Sequence, residues 1–190
     1  MTDQAPSEPL IVADVRAWRA WLDQHESTSD GLWLLLAKKG TTGPTSLSYQ
    51  HALEEALCSG WIDGQRKSVD AHTFKQRYTP RRAKSLWSLR NIDLVARLSS
   101  EGRMRERGLA EIERAKSDGR WDRAYAGPAT AEVPAELAEA LAAHPKAGVA
   151  FAALNRTARY SALHPILTAV SRQTHDQRIA RLVTRLQSEL

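Results

Sequence analysis

A single cysteine, Cys58, is all the thiol chemistry this 190-residue chain possesses. No disulfide can close within it, and no zinc site can be built from cysteines. Long apolar runs are missing too: the longest, Leu32 to Ala37, is far short of the roughly 20 residues a spanning helix needs. The opening residues, Met1 to Pro9, lack the basic start and apolar stretch of a secretory signal, so a soluble, cytoplasmic protein without a membrane span is expected. The six histidines show no metal-ligand spacing. No His-Glu-x-x-His pair, phosphate-binding glycine loop or dinucleotide fingerprint occurs, so neither a metal nor a cofactor is expected. The chain shows no internal repeat and no low-complexity tract.

What is present is charge and tryptophan. The chain nets +5, yet the stretch from Gly60 to Asn91 alone nets +6, with eight basic residues against Asp63 and Asp70. Outside it, 19 basic residues face 20 acidic ones. A basic excess confined to one stretch points to an anionic ligand there. Six tryptophans against two phenylalanines supply large indoles, most of them expected in the core, each with one N–H to satisfy.

Ala, Leu and Arg dominate the composition and favour helix. Residues 1–9 are polar and proline-bearing and read as a flexible arm. Asp14 reads as the N-cap of a helix that aligns Val15, Trp18 and Leu22. Leu32–Lys38, between glycines, reads as a buried strand, and Ser48 as the cap of a helix that buries Ala52, Leu53, Ala56 and Leu57 and stops at Gly60. From Gln65 to Tyr78 the pattern alternates, with Phe74 and Tyr78 on one side, Lys75 and Arg77 on the other, and a turn at Asp70-Ala71-His72. Thr79-Pro80 reads as a helix cap with a first-turn proline. Stripes through Ile92, Val95 and Leu98, then Met104, Gly108, Ile112 and Ala115, mark two helices closed by Gly102 and Gly119.

Periodicity lapses over 126–133 and resumes as helix only. Leu137 and Leu141 start it, then Leu163, Ile166, Leu167 and Val170, then a last helix through Ile179 and Leu186 capped by Thr174 with Gln177. The expected architecture is α+β: a core domain over 10–125 with a small antiparallel sheet packed by helices, a linker at 126–133, and a helical C-terminal appendage over 134–190.

Several spaced motifs carry a family resemblance. In order they are Leu32-Trp33-Leu34 with Lys38-Lys39, Tyr49 with Ala52 through Leu57, Gly60-Trp61-Ile62-Asp63-Gly64, Thr79-Pro80-Arg81-Arg82, and Ser85 with Trp87-Ser88 and Asn91. Gly102 with Met104, Gly108, Ala115-Lys116 and Gly119-Arg120-Trp121 follow. This order resembles the bacterial bacteriocin-protection family, also labelled YdeI/OmpD-associated. The tail, Ser171-Arg172-Gln173-Thr174-His175-Asp176, departs from the Lys-Arg-x-Glu-Thr-Arg type of run that the resemblance implies. The resemblance implies a role in bacteriocin or envelope-stress tolerance and no defined reaction.

For the site, Gly60-Trp61-Ile62-Asp63-Gly64 sets an indole and a carboxylate at a helix end, as a pocket wall or as a plain C-cap with a core tryptophan. Arg81 and Arg82 offer bidentate donors for phosphate or carboxylate. Arg77, Ser85, Trp87, Ser88 and Asn91 complete the expected ligand-binding set with Trp61 and Asp63. The reading that follows is a binding protein for an anionic small molecule or an acidic partner. One alternative is a nucleic-acid-binding regulator using Arg66, Lys67, Lys75 and Arg77 beside Phe74, Tyr78 and Trp87. Another is an enzyme that joins Asp63 to Ser85, Ser88 or Asn91. Glu54 and Glu55, adjacent on a helix, point apart and make a poor acid/base pair, and Cys58 is expected as a small core thiol.

Overall fold

The computed structural model describes residues 8–188. Its contacts divide the chain into two units, one reaching to Ser85 and resuming over Asp93–Gly119, the other made of Leu86–Ile92 and Arg120 onward. The 126–133 stretch lies inside the second unit. Of the arm expected over 1–9, residues 1–7 fall outside the described residues.

In the first unit, α1 (Val15–His25) is capped by Asp14, whose carboxylate accepts the Ala17 N–H at 2.9 Å. α2 (Tyr49–Cys58) is capped by Ser48. Between them β1 (Leu32–Ala37) pairs antiparallel with β3 (Thr73–Pro80), which pairs antiparallel with β2 (Trp61–Ser68), giving the order β1-β3-β2. The fold is thus α+β. Gly60 ends α2 at φ +70° and starts β2 at once; a side chain there would press on the Arg107 carbonyl at 3.0 Å.

The alternation expected in the hairpin is present. Phe74 and Tyr78 are buried, while Lys75 and Arg77 are half-buried on the opposite face. Asp70 holds the turn by accepting the N–H groups of His72 and Thr73 and the Thr73 hydroxyl. The inner face of the sheet packs with α1 and α2 around Trp18, Leu22, Leu34, Leu36, Ala52, Ala56 and Trp61.

Thr79-Pro80 is a correction. These residues end β3, opposite Ile62 and Trp61, and no helix begins there. β1 pairs with β3 only as far as Tyr78, so the N–H that Pro80 lacks is not missed by the ladder. α3 (Leu89–Ser100) and α4 (Glu106–Ser117) follow, with positive φ at Gly102 and Gly119.

The second unit is helical: α5 (Ala135–Ala143), α6 (Pro145–Ala153), α7 (Arg156–Leu167) and α8 (Arg172–Ser188) bury Leu137, Leu141, Phe151, Leu163, Ile166, Ile179, Leu182 and Leu186 together. Two expectations shift here. Val170 lies beyond α7 and is 71% exposed. α8 starts at Arg172, two residues before Thr174, and is capped by Ser171, whose hydroxyl accepts the Thr174 N–H at 3.1 Å and sits 2.9 Å from the Thr174 hydroxyl.

Candidate functional site

The expected ligand-binding residues are split between the units: Trp61, Asp63, Arg77, Arg81, Arg82 and Ser85 belong to the first, Trp87, Ser88 and Asn91 to the second. Trp61 has no surface to offer. It is fully buried, edge-on to Trp18 and Trp21, and its indole N–H donates to the Glu26 carbonyl at 3.2 Å. The core-indole alternative is therefore what the fold uses. Asp63 lies on the inner face opposite Tyr78 and accepts the Tyr49 hydroxyl at 2.9 Å. Burial, and then the Asp63 carboxylate, push the Tyr78 hydroxyl far above its ordinary range, so it stays protonated at any physiological pH.

Arg81 extends the ladder by donating its backbone N–H to the Gly60 carbonyl at 3.0 Å, and its side chain is buried. Arg82 is exposed, and its N–H is taken by the Ser85 hydroxyl at 2.9 Å. In the second unit Trp87 is buried against Trp121, ring centres 5.0 Å apart. Ser88 pairs with Tyr125 and accepts the Asn91 N–H at 3.2 Å, a cap for the start of α3. Asn91 is buried.

Arg77 leads to a different constellation. On the outer face of the sheet it stands opposite Trp33 of β1, and Lys75, two residues earlier, stands opposite Leu35. Lys67 of β2 is the direct cross-strand partner of Lys75. Both ammonium groups gather over the half-buried Trp33 ring, Lys67 Nζ at 5.1 Å and Lys75 Nζ at 5.2 Å from its centre. Gly64 faces Arg77 without a side chain of its own. Among the described residues, no carboxylate lies within ion-pair distance of Lys67, Lys75 or Arg77. Like charges placed directly opposite on a sheet repel, and the indole face compensates only in part. Arg66, past the bulge in β2, stacks on Phe74 with its guanidinium 3.8 Å from the ring centre.

Trp33 is the residue sequence reasoning missed. Its signal was parity: Leu32, Leu34 and Leu36 share the inner face of β1, which turns Trp33 outward beside the lysines of the neighbouring strands.

A second charged cluster in the same unit is structural. Glu54 and Glu55 are buried and held by arginines: Glu54 by Arg97 at 2.5 Å and Arg103 at 3.1 Å, Glu55 by Arg103 at 2.8 Å and Arg105 at 3.4 Å. Arg105 also reaches Asp23 at 2.9 Å and the Ser59 hydroxyl at 2.6 Å. Burial pushes the Glu54 carboxyl up, but hydrogen bonds from Gln50, Arg97 and Arg103 outweigh it, and the group sits below the ordinary glutamate range. Each carboxylate is tied to two arginines, so neither is placed as a free proton shuttle. Beside them Cys58 is buried, its thiol pushed up to about 11 by desolvation and then by Glu55. Among the described residues no group of His, Cys, Asp or Glu is placed to hold a metal ion, and no helix is long and apolar enough to cross a membrane.

Comparison with known proteins yields two family matches. The model described as "Domain of unknown function (DUF8412)" matches residues 10–111, over half of the 190-residue chain. The model described as "Bacteriocin-protection, YdeI or OmpD-Associated" matches residues 130–189, supporting the resemblance. Most of the motifs that carry the resemblance lie in the first stretch. The second covers the tail, where the Ser171–Asp176 run departs from the expected one. No curated protein and no solved structure matches the chain.

Proposed function

This chain belongs to the DUF8412 family, and we propose that it is a binding protein of the bacteriocin-protection type that holds an anionic ligand on the outer face of its sheet. One observation carries the reading: Lys67 and Lys75 converge on the Trp33 ring as a direct cross-strand pair, with Arg77 beside them. The pair opposes itself by about 0.2–1 kcal/mol. An anion seated between the two ammonium groups replaces that repulsion with two charge-assisted hydrogen bonds, and the Arg77 guanidinium adds a fork of donors. The indole is the apolar floor. Of the residues first considered, Arg77 stays in the site; Trp33, Lys67 and Lys75 replace the buried Trp61 and Arg81.

Nucleic acid is the second reading, because Trp33 offers a stacking plane among cations. A base stacking there contributes roughly 1–3 kcal/mol but displaces two ammonium groups worth about 0.5–1 kcal/mol each at an exposed site. The two effects nearly cancel, which favours an anion bound beside the ring over a base bound upon it.

Calorimetric titration with inorganic phosphate, pyrophosphate, nucleoside triphosphates and a single-stranded oligonucleotide tests both readings. Saturable binding of a small anion is expected, reduced more than tenfold in Lys67→Gln plus Lys75→Gln. Equal binding by a folded double variant would refute the site. A steep salt dependence confined to the oligonucleotide would favour the nucleic-acid reading.

A further inference from the structure

We propose that one end of the sheet, formed by the β2–β3 turn and the loop after β1, docks on an anionic lipid bilayer. The proposal shares Lys67 and Lys75 with the sheet site and rests on that reading to the extent that these lysines meet anions; it adds the partner, a membrane surface. The turn is Val69-Asp70-Ala71-His72, and all four residues are exposed. Val69 puts a large apolar side chain, 50% exposed, at the tip. The loop after β1 is fastened beside it. The Lys38 N–H and the Thr41 hydroxyl donate to the His72 carbonyl at 2.8 and 3.1 Å, and Lys38 Nζ donates to the Asp70 carbonyl at 2.6 Å. Lys38, with Lys39 next in the chain, thus stands by the turn that Arg66, Lys67 and Lys75 flank from the strands. These five bases face one acid, Asp70, whose carboxylate is engaged inside the turn by the N–H groups of His72 and Thr73 and by the Thr73 hydroxyl. Among the described residues, none of the five lies within ion-pair distance of a carboxylate.

Arrangement selects the occupant. Arg66 stacks on Phe74 on the inner side of the hairpin, its guanidinium 3.8 Å from the ring centre, whereas Lys67 and Lys75 lean over Trp33 on the outer side. The bases therefore surround an apolar tip from both faces instead of lining one groove. A single-stranded nucleic acid tracks along one row of cations, so it meets one face of the hairpin and leaves Val69 in water. A bilayer surface meets every side of the tip at once. Headgroup phosphates take the ammonium and guanidinium groups, the aliphatic stems of the bases lie along the apolar boundary, and Val69 enters it. Interfacial binding scales with buried apolar area plus attraction to anionic lipid, and one valine is a small area. Charge therefore carries the docking, each base near an anionic leaflet contributing about fivefold in affinity.

The test is co-sedimentation of the full chain with vesicles of equal parts phosphatidylglycerol and phosphatidylcholine, against vesicles of phosphatidylcholine alone. Binding is expected to the anionic vesicles only, weakening as salt rises. Lys39→Gln plus Arg66→Gln, which spares Lys67, Lys75 and Arg77, should lower vesicle affinity more than tenfold, and Val69→Asp severalfold. All three side chains are exposed; if circular dichroism shows the double variant misfolded, Lys39→Gln alone should still weaken binding about fivefold. The proposal is overturned if anionic vesicles do not bind, if the folded variants bind them as wild type does, or if a single-stranded oligonucleotide depends on Lys39 and Arg66 while vesicles do not. Titration with pyrophosphate separates this proposal from the sheet site, because Lys39→Gln plus Arg66→Gln should leave pyrophosphate binding unchanged. Pyrophosphate binding without vesicle binding sinks the membrane proposal alone. Vesicle binding that needs Lys39, Arg66 and Val69, without pyrophosphate binding, sinks the free-anion site alone.

Discussion

Gly108→Ala sets two effects of opposite sign against each other. Gly108 lies within α4, where alanine is favoured over glycine by about 1 kcal/mol. A β-carbon at this position, however, would lie 2.2 Å from the Cys58 carbonyl oxygen, 2.9 Å from its carbon and 2.8 Å from Met104 Cε. The methionine end can swing away. The carbonyl cannot, because it belongs to the last residue of α2 and accepts the Arg105 N–H at 3.0 Å. Reaching the 3.4 Å of ordinary contact requires a shift of 1.2 Å, the difference between 3.4 and 2.2 Å. Overpacking of this kind costs about 1–3 kcal/mol, and loss of the Arg105 bond about 1 kcal/mol more. The steric side wins, and a net destabilisation of roughly 1–3 kcal/mol is expected. Urea unfolding followed by tryptophan fluorescence, which reports the first unit through Trp18, Trp21, Trp33 and Trp61, should show a lower midpoint at unchanged slope. Gly127→Ala, with nothing within 4 Å of its would-be β-carbon, should stay within about 0.5 kcal/mol of wild type. A Gly108→Ala protein as stable as wild type would mean that α4 does not rest on the Cys58 carbonyl.

Three further outcomes follow from the same geometry. Cys58, buried with its thiol near pKa 11, should resist thiol reagents at pH 8 in the native protein and react fully in urea; rapid native reaction would contradict its placement. Glu54, whose folded pKa lies below its unfolded value, contributes stability that is fully present above the ordinary glutamate range and is lost as pH falls through the lower folded pKa. Glu54→Gln should therefore flatten the acid limb of a stability–pH profile, and an unchanged limb would show that the arginine cluster does not act on it. Ser171→Ala should cost about 1 kcal/mol by uncapping α8, read by thermal unfolding, whereas Thr174→Ala should cost less; the reverse order would restore Thr174 as the cap.

Local signals were legible in the chain wherever neighbours in sequence are neighbours in space. The caps at Asp14 and Ser48, the Asp70 turn, the inward Phe74 and Tyr78, and the glycine stops at Gly60, Gly102 and Gly119 are all set within a few residues. Thr79-Pro80 misled because the same dipeptide suits a helix start and the overhanging end of a strand, and only the length of β1 decides between them. Thr174 reads as the cap in the sequence, whereas Ser171, three residues earlier and with the same hydroxyl chemistry, is the cap in the fold. The arginine partners of the buried Glu54 and Glu55 lie 43 to 50 residues away, beyond any periodicity. Of the residues in the expected ligand-binding set, only Arg77 lies on the outer face of the sheet beside Trp33, Lys67 and Lys75. Trp61 follows a helix directly, which suits a pocket wall as well as a core indole; cross-strand register turns it into the core, and the same register turns Trp33 out to Lys67 and Lys75.

The place where an anion binds is the most direct test of the proposed site. In an NMR titration of the full chain with pyrophosphate, the largest shifts should fall on the Trp33 indole N–H and the backbone amides of Lys67, Lys75 and Arg77, with the Trp61 indole N–H unmoved. Shifts that leave Trp33 and both lysines untouched while the anion binds elsewhere would contradict the claim that the outer face of the sheet is the site.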